Sequence, residues 1–234
     1  MKKYYFLSLL FILTSCAELQ NIASQLPQGG YGVSNDDIAA GLRQALDMGI
    51  EKQVTKLTQE DGFFRNELVR ITLPPELQKV DKTLRDVGLG SLADEGLRVL
   101  NRAAEDAVQE ATPIFVNAVQ EITFADARNI LLGADNAATQ YLNNKTETAL
   151  YSKFNPVIQS SLNKVGATQV WSNLIQRYNS LPLTTTVNPD LSDYVTQEAL
   201  KGVYAMIAVE EKQIREQTAS RTTTLLKKVF ALQD

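Results

Sequence analysis

Ile38, Leu42, Ala45, Leu46, Gly49 and Ile50 recur at intervals of three and four residues, which predicts an amphipathic helix. Ser34 or Asn35 supplies its cap, and Asp36 and Asp37 fall in the first turn, near the positive dipole end. "QEDGFF" breaks this helix. Pro75 opens a second helix, "PELQKVDKTLRDVG", which Gly88 and Gly90 end. Ser91 with Asp94 starts the next, and Leu92, Gly96, Val99, Leu100, Ala103, Ala107 and Ala111 give it a small-residue stripe suited to close helix packing. Thr112-Pro113 opens a short helix or kinks the existing one. Thr123 with Asp126 caps "FADARNILLG", where Gly133 is expected as a left-handed stop.

The remaining pattern stays helical. A long helix is expected from Asp135 to Phe154, with Asn155-Pro156 restarting the chain in a further stretch. Gly166 precedes "ATQVWSNLIQRYN", Asp190 caps a helix running to about Gln217, and Ser220 opens "RTTTLLKKVF". Two pieces break the rule. "VRITLPPEL" and "SLPLTTTVNPD" are pushed toward extended geometry by their prolines. The expected fold is therefore an all-α multi-helix bundle over residues 35–234. It leaves room for one short two-stranded pairing of 70–73 with 182–185.

The first residues follow a different logic. Lys2 and Lys3 precede the apolar run Tyr4 to Leu13, the organisation of a secretory signal peptide over residues 1–15. That run is well short of the roughly 20 residues that span a bilayer. Leu13-Thr14-Ser15-Cys16 follows it and resembles the bacterial lipobox, in which the cysteine is acylated and becomes the first mature residue. Acyl chains on Cys16 would hold the protein at a membrane, because more than one chain gives stable anchoring. Ala17 follows where an aspartate would signal inner-membrane retention, so the expected place is the outer membrane, facing the periplasm, with the cell surface as the other face. Residues 17–34 are polar and broken by Gly and Pro, a tether with a reach of roughly 20–25 Å.

Composition narrows the chemistry. The 234-residue chain has a net charge of −4, which becomes about −6 once Lys2 and Lys3 are removed, and such acidity argues against nucleic acid as a partner. There is no histidine and a single cysteine. That excludes Ser-His-Asp and Cys-His catalysis and His-ligated zinc. No phosphate loop or dinucleotide fingerprint is present, and "GADN" and "VNPDLSD" lack calcium-loop spacing. No cofactor, metal site or catalytic residue is expected.

Charged residues on apolar stripes need a physical account, since burying an unpaired charge is costly. Arg128 shares a helix face with Phe124 and Leu131, and Glu210 one with Ile207 and Ile214. Glu211 lies at the edge of that stripe, four residues before Arg215. These positions predict a buried polar cluster in which Arg128 meets Glu210, with Glu211, Arg215 and Arg221 nearby. Its role is either a structural ion pair or a carboxylate lining a ligand pocket. Tyr141, Tyr151, Phe154, Trp171, Tyr178, Tyr194 and Tyr204 pose the same choice between core and cavity.

"ARNILLGADNAATQYL", "PVIQSSL", "DLSDYVTQEALKGVYAMIAVEEKQIR" and "SRTTTLLKKVF" together resemble the domain-of-unknown-function family numbered 4197. The likeness runs from about Asn35 and is most specific from Phe124 to Phe230. The resemblance implies an exported or lipid-anchored protein of Gram-negative bacteria and no particular activity. It marks Arg128, Gly133, Thr139, Tyr141, Thr146, Asp190, Tyr194, Glu210, Glu211, Arg215 and Arg221 as motif positions. Where members often carry Asn-Pro before the last helix, this chain has "EQTAS". The expected function is a non-enzymatic lipoprotein that binds or scaffolds an envelope protein partner. A binding module for an apolar or lipid-like ligand is the alternative, and a histidine-free hydrolase using Glu210 or Glu211 as base is the third.

Overall fold

Helix caps set the element boundaries. The computed structural model describes residues 32–73, 90–180 and 190–234, together with residues 78, 82, 85, 86, 88, 186 and 188. Residues 1–31, which hold the expected signal peptide, Cys16 and most of the tether, lie outside them, as does most of the expected helix over 75–88. Among the described residues the chain is all-α, with eight α-helices and no strand. They are α1 (Asn35–Leu57), α2 (Gly90–Val108), α3 (Ala111–Gln120), α4 (Phe124–Leu131), α5 (Ala137–Lys164), α6 (Ala167–Asn179), α7 (Leu191–Glu216) and α8 (Thr224–Phe230). A 3₁₀ turn at Thr218–Ser220 separates the last two.

Ser34 with Asp37 and Thr123 with Asp126 form reciprocal capping boxes at the starts of α1 and α4. Asp190 accepts from the Ser192 and Asp193 amides to start α7. Lys228 of α8 reaches back to Asp37 at 2.8 Å, and its hydrogen bond helps hold that carboxyl at a pKa of about 2. The last helix opens later than the sequence implied: Thr223, not Ser220, is its cap.

α5 and α7 pack along each other. α1 lies across α7 and also meets α3, α4 and α8, while α2 and α3 cover another side of α5. Ala103, Ala104 and Ala107 are fully buried on α2, and their small side chains allow the close approach to α5.

Three local expectations are corrected. Pro156 does not restart the chain, because α5 runs through it from Ala137 to Lys164. An interior proline costs about 3 kcal/mol. Leu150, Phe154, Ile158 and Leu162 form one fully buried stripe across it, and each such side chain contributes about 2 kcal/mol, so packing prevails. Gly133 is not in the left-handed region. Its role is steric: a Cβ there would sit 2.8 Å from the Asn129 carbonyl oxygen and 2.9 Å from Ala137 Cβ. On α2, Gly96 is exposed and Leu97 is buried, so the inward face carries Asn101 and Glu105.

Those two polar residues explain what happens to the extended segment. Residues 70–73 are irregular, and 182–185, the other half of the expected pairing, lie outside the described residues. Asn101, fully buried, takes the place of a neighbouring strand. Its Oδ1 accepts the Ile71 amide at 2.8 Å while its Nδ2 donates to the Ile71 carbonyl at 2.8 Å. Glu105, only 1 % exposed, accepts the Phe63 amide at 3.1 Å, and burial raises its pKa. Tyr194 adds a third fastening through its hydroxyl to the Thr72 carbonyl at 2.6 Å.

Replacing Asn101 by Ala strands both backbone groups of the buried Ile71, each worth roughly 1–3 kcal/mol when unsatisfied. Urea denaturation of Asn101→Ala is expected to show a loss of at least about 2 kcal/mol. A loss within the error of the measurement would refute the strand-substitute role.

Candidate functional site

α7 presents Glu210, Glu211 and Arg215 inward, all three buried, and Arg221 follows past the 3₁₀ turn at 1 % exposure. Arg128 does not join them. It is exposed on α4, and Ala127, Ile130 and Leu131 make that helix's buried face. The expected Arg128–Glu210 contact is thereby corrected: Glu210 pairs instead with Lys52 Nζ at 2.7 Å and with Gln53 Nε2 at 2.8 Å, both on α1. An eight-residue helix rotates its face quickly, and three or four positions are too few to fix which side is inward.

Glu211 sits at the N-terminus of α5. The side chain of Asn136, the cap position, accepts from Gln140 Nε2 at 3.0 Å and caps no first-turn amide of that helix. Glu211 takes over across the fold. Its Oε2 accepts the Thr139 amide and the Thr139 hydroxyl, both at 2.8 Å, and its Oε1 accepts the Ala138 amide at 2.9 Å. Arg215 completes the shell, donating from Nε at 3.0 Å and Nη2 at 2.8 Å to Oε1. Five donors therefore fill the roughly four lone-pair sites of one carboxylate.

Arg215 faces the other way as well. Nη2 donates to the Ile130 carbonyl at 2.8 Å and Nη1 to the Leu131 carbonyl at 3.1 Å, the last residues of α4. Gln233 Nε2 also donates to the Leu131 carbonyl. The anion thus lies at the positive end of α5 and the cation at the negative end of α4, so both helix dipoles favour the pair. Desolvating two such ions costs several kcal/mol each. Their side chains are each 6 % exposed, and hydrogen bonds to four backbone groups offset that cost.

Arg221 repeats the pattern at the end of α7. Nε donates to the Ile214 carbonyl at 3.0 Å and Nη2 to the Arg215 carbonyl at 2.7 Å. Asp234 supplies the counter-charge at 2.7 Å, and that hydrogen bond lowers its own pKa. The "EQTAS" departure forms the 3₁₀ turn and leaves this arrangement complete.

The cluster borders a void of about 20 Å³ lined by Gly49, Ala138, Glu210, Glu211 and Arg215 among others. That is room for about one water. α1 passes closely there, since a Cβ on Gly49 would come 3.2 Å from Glu210 Cγ and push that side chain by a few tenths of an ångström. The aromatics divide between core and edge. Phe154, Tyr204 and Trp171 are buried, with the Tyr204 hydroxyl 2.8 Å from Thr146 Oγ1 and its pKa pushed up to about 12 by burial. Tyr141, Tyr151 and Tyr194 are partly buried against the core, and Tyr194 stacks on Trp171 at 5.9 Å. Nothing is described for the Tyr178 side chain.

Sequence reasoning missed Asn101, Glu105, Lys52 and Gln53. Asn101 and Glu105 carried a signal, being four apart between Leu97 and Val108 on one face. Lys52 and Gln53 carried none, because only the packing of α1 on α7 brings them to Glu210.

Removing Glu211 leaves Arg215 buried without its anion and two α5 amides uncapped. Glu211→Ala is expected to lower unfolding free energy by about 3–5 kcal/mol, and Arg128→Ala to change it by less than about 0.5 kcal/mol. Chemical denaturation followed by circular dichroism measures both. Equal small effects would contradict the geometry.

No curated protein and no solved structure matches this chain. Residues 32–231 do match a family model described as a protein of unknown function (DUF4197), a span that takes in every helix and buried charge described above, and the chain belongs to that family.

Proposed function

We propose that the protein is a non-enzymatic lipoprotein, anchored through acyl chains on Cys16 to the outer membrane and facing the periplasm, whose helical body docks an envelope protein. The observation that supports this reading is the full commitment of Glu211 and Arg215 to helix ends, beside a void that holds about one water. A general base needs a lone pair directed at a substrate or water. Glu211 has none to spare, so a hydrolase built on it lacks support. A ligand pocket normally offers several hundred Å³, which the void beside Glu211 does not; Arg215 also borders a surface groove of about 340 Å³ with Leu131, Gly133, Asp135 and Gln233, to which Glu211 does not contribute.

Work is then left to the outer surface and to the tether. Leu68, Leu132, Val165 and Val170 are each more than half exposed, and they are natural positions to watch for partner contact.

The test is chemical crosslinking in intact envelopes, followed by mild solubilisation and mass spectrometry, with native Cys16 beside Cys16→Ala. The expected result is an acylated Cys16 peptide and one stoichiometric partner crosslinked to residues within 35–234, lost in Cys16→Ala. A co-purifying lipid or metabolite with no partner would overturn the docking role in favour of a binding module. An unmodified Cys16 would overturn the anchor.

A further inference from the structure

The surface groove of about 340 Å³ at the α4–α5 corner carries a chemistry that the ion pair behind it does not use. Leu132, Asp135, Arg215, Glu216 and Gln233 line it, and Gly133 adds no side chain. Its size falls in the range of binding sites for small groups.

The groove's positive charge is already committed. Arg215 gives Nε, Nη1 and Nη2 to Glu211 and to the Ile130 and Leu131 carbonyls. Its negative charge is not. Asp135 is exposed and makes no ion pair among the described residues. Glu216 meets Lys212 at 3.7 Å, with both side chains more than half exposed, and such a contact neutralises little. The last carbonyls of α4 end at the same corner, so the negative end of that helix adds to the field. Asp234, beside Gln233, is held by Arg221, and Arg128, exposed one turn before Leu132, is not part of the lining.

The wall also holds an unmet acceptor. Gln233 gives its Nε2 to the Leu131 carbonyl, and its Oε1 is buried without a hydrogen-bond partner among the described residues. Beside these polar groups Leu132 is 61 % exposed. An anionic groove with an aliphatic wall suits a long cationic side chain, whose methylenes cover carbon while its head stays with the acids. A bare cation would leave Leu132 uncovered, and an anionic lipid head would meet like charge.

We propose that this groove receives an arginine or lysine side chain of the envelope protein, with its charged head on Asp135 and Glu216 and its stem against Leu132. The inference rests on the docking reading above and names the chemistry of the partner's contact. Arginine suits it best, because its fork can serve two carboxylates and still donate further.

The test titrates the full chain, held in neutral detergent, with acetyl-leucyl-arginine amide. Nuclear magnetic resonance follows the Leu132 methyls and the Gln233 side-chain amide. The peptide is expected to shift both saturably, and its citrulline counterpart, neutral and of nearly the same shape, to leave them in place. Asp135→Asn combined with Glu216→Gln, both at exposed positions, is expected to weaken binding about tenfold, whereas Arg128→Gln does not weaken it. Unmoved resonances, an equal response to the citrulline peptide, or full binding in the double variant would overturn the proposal. Agmatine bound as tightly as the peptide would also overturn it, assigning the groove to a free cation. The docking reading fails separately. Crosslinking that captures a partner away from Leu132 leaves docking in place and removes this groove from it, while capture of no partner overturns docking whatever the peptide does.

Discussion

The structure depends on one ion pair lying between two helix ends of opposite polarity. Glu211 closes the N-terminus of α5, and Arg215, one turn later on α7, closes the C-terminus of α4. The two ends are neighbours in the chain, joined by residues 132–136, so one turn of α7 clamps the whole α4–α5 corner. Its buried charges are tolerable because each meets a dipole end of the opposite sign. Without that match the same pair would weigh against folding.

The same device recurs across the molecule. Arg221 closes α7 and draws in Asp234, Asn101 holds the extended segment at Ile71, and Glu105 takes the Phe63 amide. Buried polar groups here serve backbone that would otherwise lack partners. Several positions through which the chain resembles its family belong to this set, Thr139, Glu211, Arg215 and Arg221, and the exposed Asp190 and half-buried Tyr194 fasten backbone in the same way. These motif positions describe how the fold is fastened, which directs the search for function outward.

The sequence made the local features legible and left the distant ones hidden. The Thr123 and Asp190 caps are encoded within four residues and appear where the pattern placed them, and of the two candidates Ser34 and Asn35 the structure has Ser34 capping α1. Glu210 could be assigned to the interior from helical spacing, with Glu211 at the edge of that stripe and Arg215 one turn on, since α7 is long enough to fix its face; Arg221 lies beyond α7 and was expected only nearby. Their partners could not. A carboxylate capping a helix more than seventy residues away leaves no trace in periodicity. Pro156 and Gly133 misled for a related reason: local rules mark both as breaks, and tertiary packing decided otherwise at each.

First-turn amides of a helix normally exchange with water readily, because no carbonyl precedes them. Native-state hydrogen exchange at Ala138 and Thr139 therefore addresses the clamp directly. If Glu211 holds this corner, both amides exchange only with the slow opening seen for the buried middle of α7. Fast exchange at Ala138 and Thr139, with the core of α7 still protected, would contradict the account.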